Sequence, residues 1–420
     1  MDLIAPRRLR QRSRIDTAPR AVVAIPACDE VDRIGACLQA LADQLDTSGA
    51  PLDAGQFGVV LFLNNCTDGT DTMARLLEPS MPFPMRIVEQ VAPRDVASAG
   101  WARRIAMDWA AKWLEERGGN AEGVILTTDA DSRVTPDWVA ANLRALTRGA
   151  DGVAGCIALD PQEEAQLPDA LRRRGLLEAQ YETLLTELRA RLDPKDHDPW
   201  PHHATASGAS LAVTLAAYRK IGGLPLLALG EDKAFVETLE AHDALVRHAP
   251  DVKVITSGRL VGRAPGGVAD TMRLRCAQPE IVCDETLEPV MRAIRRAVWR
   301  RRLRCLQRQQ RLTDIGRWAP ALQIARAEAL KLVEASRFGA VWAMVERTSP
   351  LLRRRGLRPT ALPAQIRLAR LVLFFLRTRD RNQRPSRSSR NFSARSDFTT
   401  CAKPLAAAMN CSAASSPERG

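Results

Sequence analysis

The chain has 420 residues, 45% of them hydrophobic and 26% charged, which supports a sizeable core and excludes disorder throughout. It has no unbroken run of about 18 apolar residues, and residues 1–14 lack the apolar stretch of a cleaved secretory signal, so neither a spanning helix nor a leader is expected. The net charge of +12 is uneven: residues 1–270 carry 30 basic and 38 acidic side chains, whereas residues 271–420 carry 31 and 11.

In chain order, residues 1–20 read as a flexible basic arm. Residues 21–25 form an apolar strand stopped at Pro26, and 34–44 have helical spacing. A second strand over 57–63 ends in the polar turn 64–71, a helix begins at 72–77, and 85–88 is a third short strand. The clearest helix spans 98–117, with Trp101, Ile105, Trp109 and Trp113 four apart on one face and Gly118-Gly119 as its stop. A strand over 123–128, a helix over 136–146 with Pro136 in its first turn, and a strand over 152–159 follow. Residues 168–192 read as helix, 193–203 as a Pro-rich loop, 205–214 and 252–255 as strands, and 231–242 as a helix between them. Alternation of strands and helices predicts an α/β domain with a mostly parallel sheet flanked by helices. After about 270 the pattern changes to Arg-rich helices through 380, and 381–420 read as a disordered tail. The nine cysteines include no C-x-x-C pair and read as free thiols of a reducing cytoplasm.

The strongest chemical signal is Thr127-Thr128-Asp129-Ala130-Asp131-Ser132. An apolar strand delivers two carboxylates at i and i+2 just past its C-terminal end, where open α/β sheets bind ligands. Such a pair can hold one hard cation, Mg²⁺ or Mn²⁺, and leave positions for phosphate oxygens. The metal would neutralise charge building on a departing phosphate. Asp196-His197-Asp198 has the same spacing but follows no strand. Farther along, Glu231 and Asp232 open a helix after the Gly222-Gly223 turn. A positioned carboxylate there can take a proton from a hydroxyl nucleophile, and acidic residues at a helix start are also ordinary dipole partners.

These segments resemble family-2 glycosyltransferases, which have the GT-A fold. Ala24-Ile25-Pro26-Ala27-Cys28-Asp29-Glu30 looks like their opening strand and turn. Leu63-Asn64-Asn65-Cys66-Thr67-Asp68-Gly69-Thr70 looks like their base-binding turn. Asp129-Ala130-Asp131 matches their D-x-D motif, and Gly230-Glu231-Asp232 their downstream acidic motif. The four occur in the family's order and place a GT-A-like domain over 21–270, outside which lies the Arg-rich extension 271–380. The resemblance implies transfer of a sugar from a nucleotide-sugar donor to an acceptor hydroxyl. It implies Pro26, Ala27 and Glu30 lining the nucleotide pocket, Asn65 and Asp68 near the base, and Asp129 facing the ribose or the metal. Asp131 would be the direct metal ligand and Asp232 the catalytic base, with Glu231 beside it. Many relatives carry an acidic residue where this chain has Asn64 or Asn65, which leaves the base of the UDP- or GDP-sugar open. The family's usual course implies inversion. The absence of its Q-x-x-R-W signature points to a non-processive enzyme.

Arginines could add phosphate contacts. Arg103 and Arg104 lie on the Trp-lined helix, and Arg259 and Arg263 lie in Ser257-Gly258-Arg259-Leu260-Val261-Gly262-Arg263. Guanidinium forks suit phosphate oxygens; Arg104 and Arg263 are the preferred pair. The run Asp196 to His203 reads as a surface loop or an acceptor-side loop with Trp200 as a stacking platform, since its spacing lacks a frame for zinc. His242 and His248 read as structural or exposed. Ser207-Gly208-Ala209-Ser210 lacks the G-x-S-x-G frame of a nucleophile elbow, and no phosphate-cradling glycine loop follows a strand. Two alternatives remain: a nucleotidyltransferase that makes a nucleotide sugar, disfavoured by the acidic turn Ala27-Cys28-Asp29-Glu30, and a non-catalytic binder acting through the basic C-terminal region. That region, with apolar residues 371–376 between arginines, suits peripheral contact with an anionic membrane on its cytoplasmic face or packing on the catalytic domain. It lacks the interleaved aromatics of a nucleic-acid binder.

Overall fold

The computed structural model describes residues 19–53, 55–93, 96–116, 122–262 and 266–382. Residues 1–18 of the arm expected over 1–20, the Gly118-Gly119 stop, Arg263, the two last cysteines and the tail beyond 382 lie outside the described residues. The elements run β1 (Ala21–Ala27), α1 (Val31–Ala42), β2 (Phe57–Asn64), α2 (Thr70–Leu77), β3 (Met85–Gln90), α3 (Ala99–Glu115) and β4 (Val124–Thr127). Then come β5 (Arg133–Val134), α4 (Trp138–Thr147), β6 (Gly152–Leu159), α5 (Pro161–Gln166), α6 (Asp169–Leu192), β7 (Leu211–Thr214) and α7 (Leu215–Lys220). Next are α8 (Glu231–Ala241), β8 (Val246–Thr256), α9 (Val268–Ala277), α10 (Val290–Arg308), α11 (Arg326–Val333), α12 (Phe338–Thr348) and α13 (Leu362–Asn382).

The eight strands form one sheet in the order β3-β2-β1-β4-β7-β6-β8-β5. The pairs β3/β2, β2/β1, β1/β4 and β6/β8 are parallel, while β4/β7, β6/β7 and β5/β8 are antiparallel. Strands β1 and β2 are apolar and buried on both faces, as parallel strands covered by helices must be. Along β1, Ala21, Val23 and Ile25 pack toward Ile34 and Leu38 of α1, while Val22 and Ala24 pack toward Ala106 and Ala110 of α3. This is the two-residue period of a strand.

Helix α3 is shorter than its sequence pattern and turned differently. Ser98 caps it, its hydroxyl accepting from the Trp101 N–H at 3.2 Å. The face on the sheet is the small one, Ala102, Ala106 and Ala110, which lets the helix approach closely. Trp101, Ile105 and Trp109 lie only half-buried at its flank. The strand expected over 205–214 is confined to β7, preceded by a single 3-10 turn over Gly208–Ser210.

Helix α6, inserted between β6 and β7, packs on α10 and α13 through Tyr181, Leu185, Leu188, Val290, Ile366 and Leu373. Six arginines of this layer neutralise buried acids. Glu288 pairs with Arg189 and Arg296, Glu178 with Arg174 and Arg275, and Glu187 with Arg191 and Arg377. The opposite face of α13 exposes Leu371, Phe374 and Phe375. By length and composition alone, Pro359–Asp380 is apolar enough to cross a membrane, which the sequence reading did not expect. The buried row Leu362, Ile366, Ala369 and Leu373 holds it against α6.

Candidate active site

The strand register explains why distant motifs meet. Strand β4 runs parallel to β1, with Ala24 opposite Thr127, so the segments carrying Glu30 and Asp129 leave the sheet at the same edge. Antiparallel β7 starts there, with Leu211 opposite Thr127, which brings Gly208 to that edge. Strand β6 pairs with the same end of β7 and runs on parallel to β8, so Thr256 and the following Arg259 arrive alongside.

Arg103 of α3 is the centre of the arrangement. Its Nη2 donates to Asp129 Oδ1 at 2.7 Å and its Nε to Glu231 Oε1 at 3.2 Å. Its Nη1 donates to Thr127 Oγ1 at 3.2 Å and to the Gly208 carbonyl at 2.9 Å. Burial alone would lower its pKa; the charges of Asp129 and Glu231 outweigh that and hold it above the ordinary arginine value. Gly208 must be glycine for this: a Cβ there would sit 2.2 Å from the Arg103 guanidinium carbon.

Arg259 forms a second bridge. It pairs with both carboxylate oxygens of buried Glu30 and lies 3.2 Å from Asp131 Oδ2. Glu30 is fixed from behind, its backbone N–H donating to Thr70 Oγ1 at 2.8 Å. Burial, then the charge of Asp129, pushes Asp131 up to about 6, with Arg259 pulling the other way.

Asp232 sits in the first turn of α8, after Gly230, whose φ of 73° permits the tight entry. Its Oδ2 accepts from the Gly208 N–H at 3.1 Å and its Oδ1 from the Lys233 N–H at 2.7 Å. Burial, then Glu231, pushes it up to about 6, while Arg103 opposes the shift. Gly208 therefore offers its carbonyl to Arg103 and its N–H to Asp232, tying the D-x-D segment to the start of α8.

The residues expected near the base build the turns beside this edge. Pro26 and Ala27 end β1, opposite Phe62 and Leu63. Asn65, with φ of 54°, clamps the loop after β3: its Nδ2 donates to the Ala92 carbonyl at 2.8 Å and its Oδ1 accepts from the Ala92 N–H at 2.9 Å. Asp68 accepts from the N–H groups of Val31 at 3.0 Å and Thr70 at 2.9 Å. Burial works against it, but these bonds and the Thr70 hydroxyl hold its carboxyl below the usual value. Arg104 is directed elsewhere: it pairs with Asp108 at 2.6 Å and donates to the Leu224 carbonyl at 2.7 Å. Among the described residues, the arginines that pair with the carboxylates of this edge are Arg103 and Arg259. Adjacent helical residues differ by about 100° around the axis, and only the small-residue side of α3, which carries Arg103, faces the sheet.

A cavity of about 560 Å³ lies apart from this edge, between the end of α6, residues 194–200 and the end of α13, lined by Trp200, Lys195, Arg301 and Arg379 among others.

Residues 22–207 match the family model described as glycosyl transferase family 2. No curated protein sequence matches the chain. Among solved structures, the chain is similar to the mannosyltransferase PcManGT from Pyrobaculum calidifontis in complex with GDP-Man and Mn²⁺. Identity is 16%, with 80% of this chain and 88% of that one covered, and the TM-score is 0.41. It is also similar to S. aureus TarS 1-349 in complex with UDP-GlcNAc, at 14% identity, 87% and 93% coverage and a TM-score of 0.41. Likenesses this distant leave the argument with the family match. The mixed α/β sheet flanked by helices is the GT-A arrangement that the resemblance implied. Residues 22–207, which carry Glu30, Arg103 and the Asp129-Ala130-Asp131 segment, thus match the glycosyl transferase family 2 domain, while the start of α8 and Arg259 meet them at the same sheet edge from beyond the matched range.

Proposed function

We propose that the chain transfers a sugar from a UDP- or GDP-linked donor to an acceptor hydroxyl, with a divalent cation, Mg²⁺ or Mn²⁺, as cofactor. The observation that carries this is the meeting of Asp129, Asp131 and Asp232 around Arg103 and Arg259, in a chain whose residues 22–207 match the family-2 model. The carboxylates fit a cation. Arg103 engages Oδ1 of Asp129 and Arg259 engages Oδ2 of Asp131, so Oδ2 of the first and Oδ1 of the second, which accepts only a 3.5 Å bond from the Thr256 hydroxyl, are the oxygens that would hold a hard metal. When bound there, the cation supplies neutralising charge for the departing nucleoside diphosphate.

The chain's own residues do the rest. Asp232 is held by two backbone N–H groups and, at about 6, is mostly ionised at neutral pH while remaining basic enough to accept a hydroxyl proton. Glu231, engaged by Arg103, is a positioning residue for Asp232 rather than a second base. A single carboxylate base and direct attack give inversion, and transfer is non-processive. Arg259 is placed to meet donor phosphate oxygens once it leaves Asp131. Its ion pair with Asp131 supports a second reading in which arginines alone neutralise the leaving group.

The enzyme is proposed to work in the cytoplasm, peripherally on an anionic membrane. The exposed Leu371, Phe374 and Phe375 beside Arg367, Arg370 and Arg379 support that contact. Calorimetric titration with UDP and GDP, with and without Mn²⁺, tests the donor reading. One nucleotide binding only with metal, and not to Asp131→Ala, is the expected result. Binding unaffected by chelator favours the arginine reading, and no nucleotide binding to folded protein refutes both.

A further inference from the structure

The Pro-rich loop after α6 and strand β8 together build a second cluster of metal-ligating groups, separate in residues from the D-x-D pair. Asp198 is 3% exposed. Its Oδ2 lies 2.9 Å from His248 Nδ1 and 3.6 Å from His202 Nδ1, and the three ligand atoms all lie within 4.8 Å of one another. Tetrahedral zinc with bonds of about 2.0–2.1 Å separates its ligand atoms by about 3.3 Å. The two observed separations straddle that value; zinc would take His202 Nδ1 from its present partner, the His203 carbonyl at 2.9 Å, with the proton moving to Nε2.

Sequence spacing could not supply the frame, because the third ligand lies on another element. His248 sits within β8 and is fixed by its pairing with Ala154 of β6. Asp198 is oriented independently of the metal. Arg247 Nη1 donates to Oδ1 at 2.8 Å and to the Pro199 carbonyl, its Nη2 donates to the Pro201 carbonyl, and the His248 N–H donates to the same Oδ1 at 3.0 Å. That leaves Oδ2 as the ligating oxygen. Fixing one carboxylate oxygen so that the other points inward is how protein surroundings commonly orient metal ligands.

We propose that Asp198, His202 and His248 bind one Zn²⁺, with water completing the tetrahedron. Two imidazoles and one carboxylate suit zinc, whereas the all-oxygen pair Asp129 and Asp131 suits Mg²⁺ or Mn²⁺. Binding at Nδ1 places the single proton of neutral His248 on Nε2, and bonds from both groups to the metal replace the His248 Nδ1–Asp198 Oδ2 hydrogen bond. The site staples residues 198–202 to β8. The same loop runs on to Gly208, whose backbone holds Arg103 and Asp232, so the staple steadies one wall of the catalytic edge.

The test uses the full chain, stripped by chelator and returned to Zn²⁺ alone, with bound metal measured by elemental analysis and the thermal midpoint read in parallel. One Zn²⁺ per chain, a raised midpoint and retention of the metal by Asp131→Ala are expected. His202→Gln leaves the Arg247 and His248 bonds to Asp198 intact and should keep the fold while lowering zinc affinity at least about tenfold. Asp198→Asn, near-isosteric, should do the same. Zinc no higher than the buffer background, zinc unaffected by His202→Gln, or zinc lost in Asp131→Ala instead would each overturn the proposal.

Discussion

Replacing Arg103 with Met removes one guanidinium and leaves its two acids behind. The arginine side chain is 7% exposed and that of Glu231 9%, so this half of the network is a buried ion pair. Removing one partner of such a pair costs about 3–5 kcal/mol. Asp129 is 33% exposed, and solvent screening reduces its share to below about 1 kcal/mol. Methionine fills part of the volume, so the expected loss is about 3 kcal/mol, a large fraction of a typical 5–15 kcal/mol. The loss depends on pH. Asp232 stands at about 6 in the fold against an ordinary value of 3.8, and Arg103 restrains it from rising further. A carboxyl raised in the fold subtracts stability above its folded pKa and nothing below its unfolded one. Without Arg103 the pKa of Asp232 climbs further; parent and variant lose stability alike between about pH 4 and 6, so this part of the variant's deficit opens only above about pH 6 and is larger at pH 8 than at pH 5. Urea midpoints of parent and variant at pH 5 and pH 8 measure this, and adding Glu231→Gln to the variant should return about 2 kcal/mol. A loss under about 1 kcal/mol at pH 8, or one equal at both pH values, refutes the assignment of Arg103 as the electrostatic centre.

Four further outcomes are expected. Asp232→Asn should lower kcat by about 10²–10⁴ and leave nucleotide affinity unchanged, and in the parent kcat/KM should rise with pH through about 6 as the carboxyl ionises; a pH-independent profile counts against Asp232 as base. Asp131→Ala should abolish metal-dependent nucleotide binding in calorimetry. Gly208→Ala forces a methyl against a guanidinium held by four bonds, so about 1–3 kcal/mol of destabilisation in a thermal melt is expected together with lost activity. Phe374→Asp with Phe375→Asp should abolish binding to anionic vesicles while transfer to a soluble acceptor persists.

The parts of the site legible in the sequence were those carried by one strand and its exit. The apolar run ending in Asp129-Ala130-Asp131 announced itself, and so did the glycine before Glu231. What connects them was not legible. Glu30 and Arg259 are 229 residues apart, and only the parallel course of β1, β4, β6 and β8 brings them together. The tryptophans of α3 suggested a large apolar face, yet close packing on a sheet selected alanine. That inverted which of Arg103 and Arg104 looked inward. Charge counting likewise marked the C-terminal third as a basic surface. Burial of Glu178, Glu187 and Glu288 turns several of those arginines into internal counterions.

Helix α6 lies in the sequence between β6 and β7, but its docking partner arrives much later. Tyr181 reaches Gln365, 184 residues on, and Arg377 grips Glu187 across a separation of 190. During synthesis the chain reaches the end of β8 with Tyr181, Leu185 and Leu188 still uncovered, because α10 and α13 have yet to emerge. Contacts of such long range form late, and an apolar helix left open meanwhile is a site for chaperones or aggregation. A chain cut after residue 262 would contain every side chain placed at the site above, Arg259 included, and still lack the helices that cover α6. The boundary suggested by the family motifs is therefore not a boundary for folding.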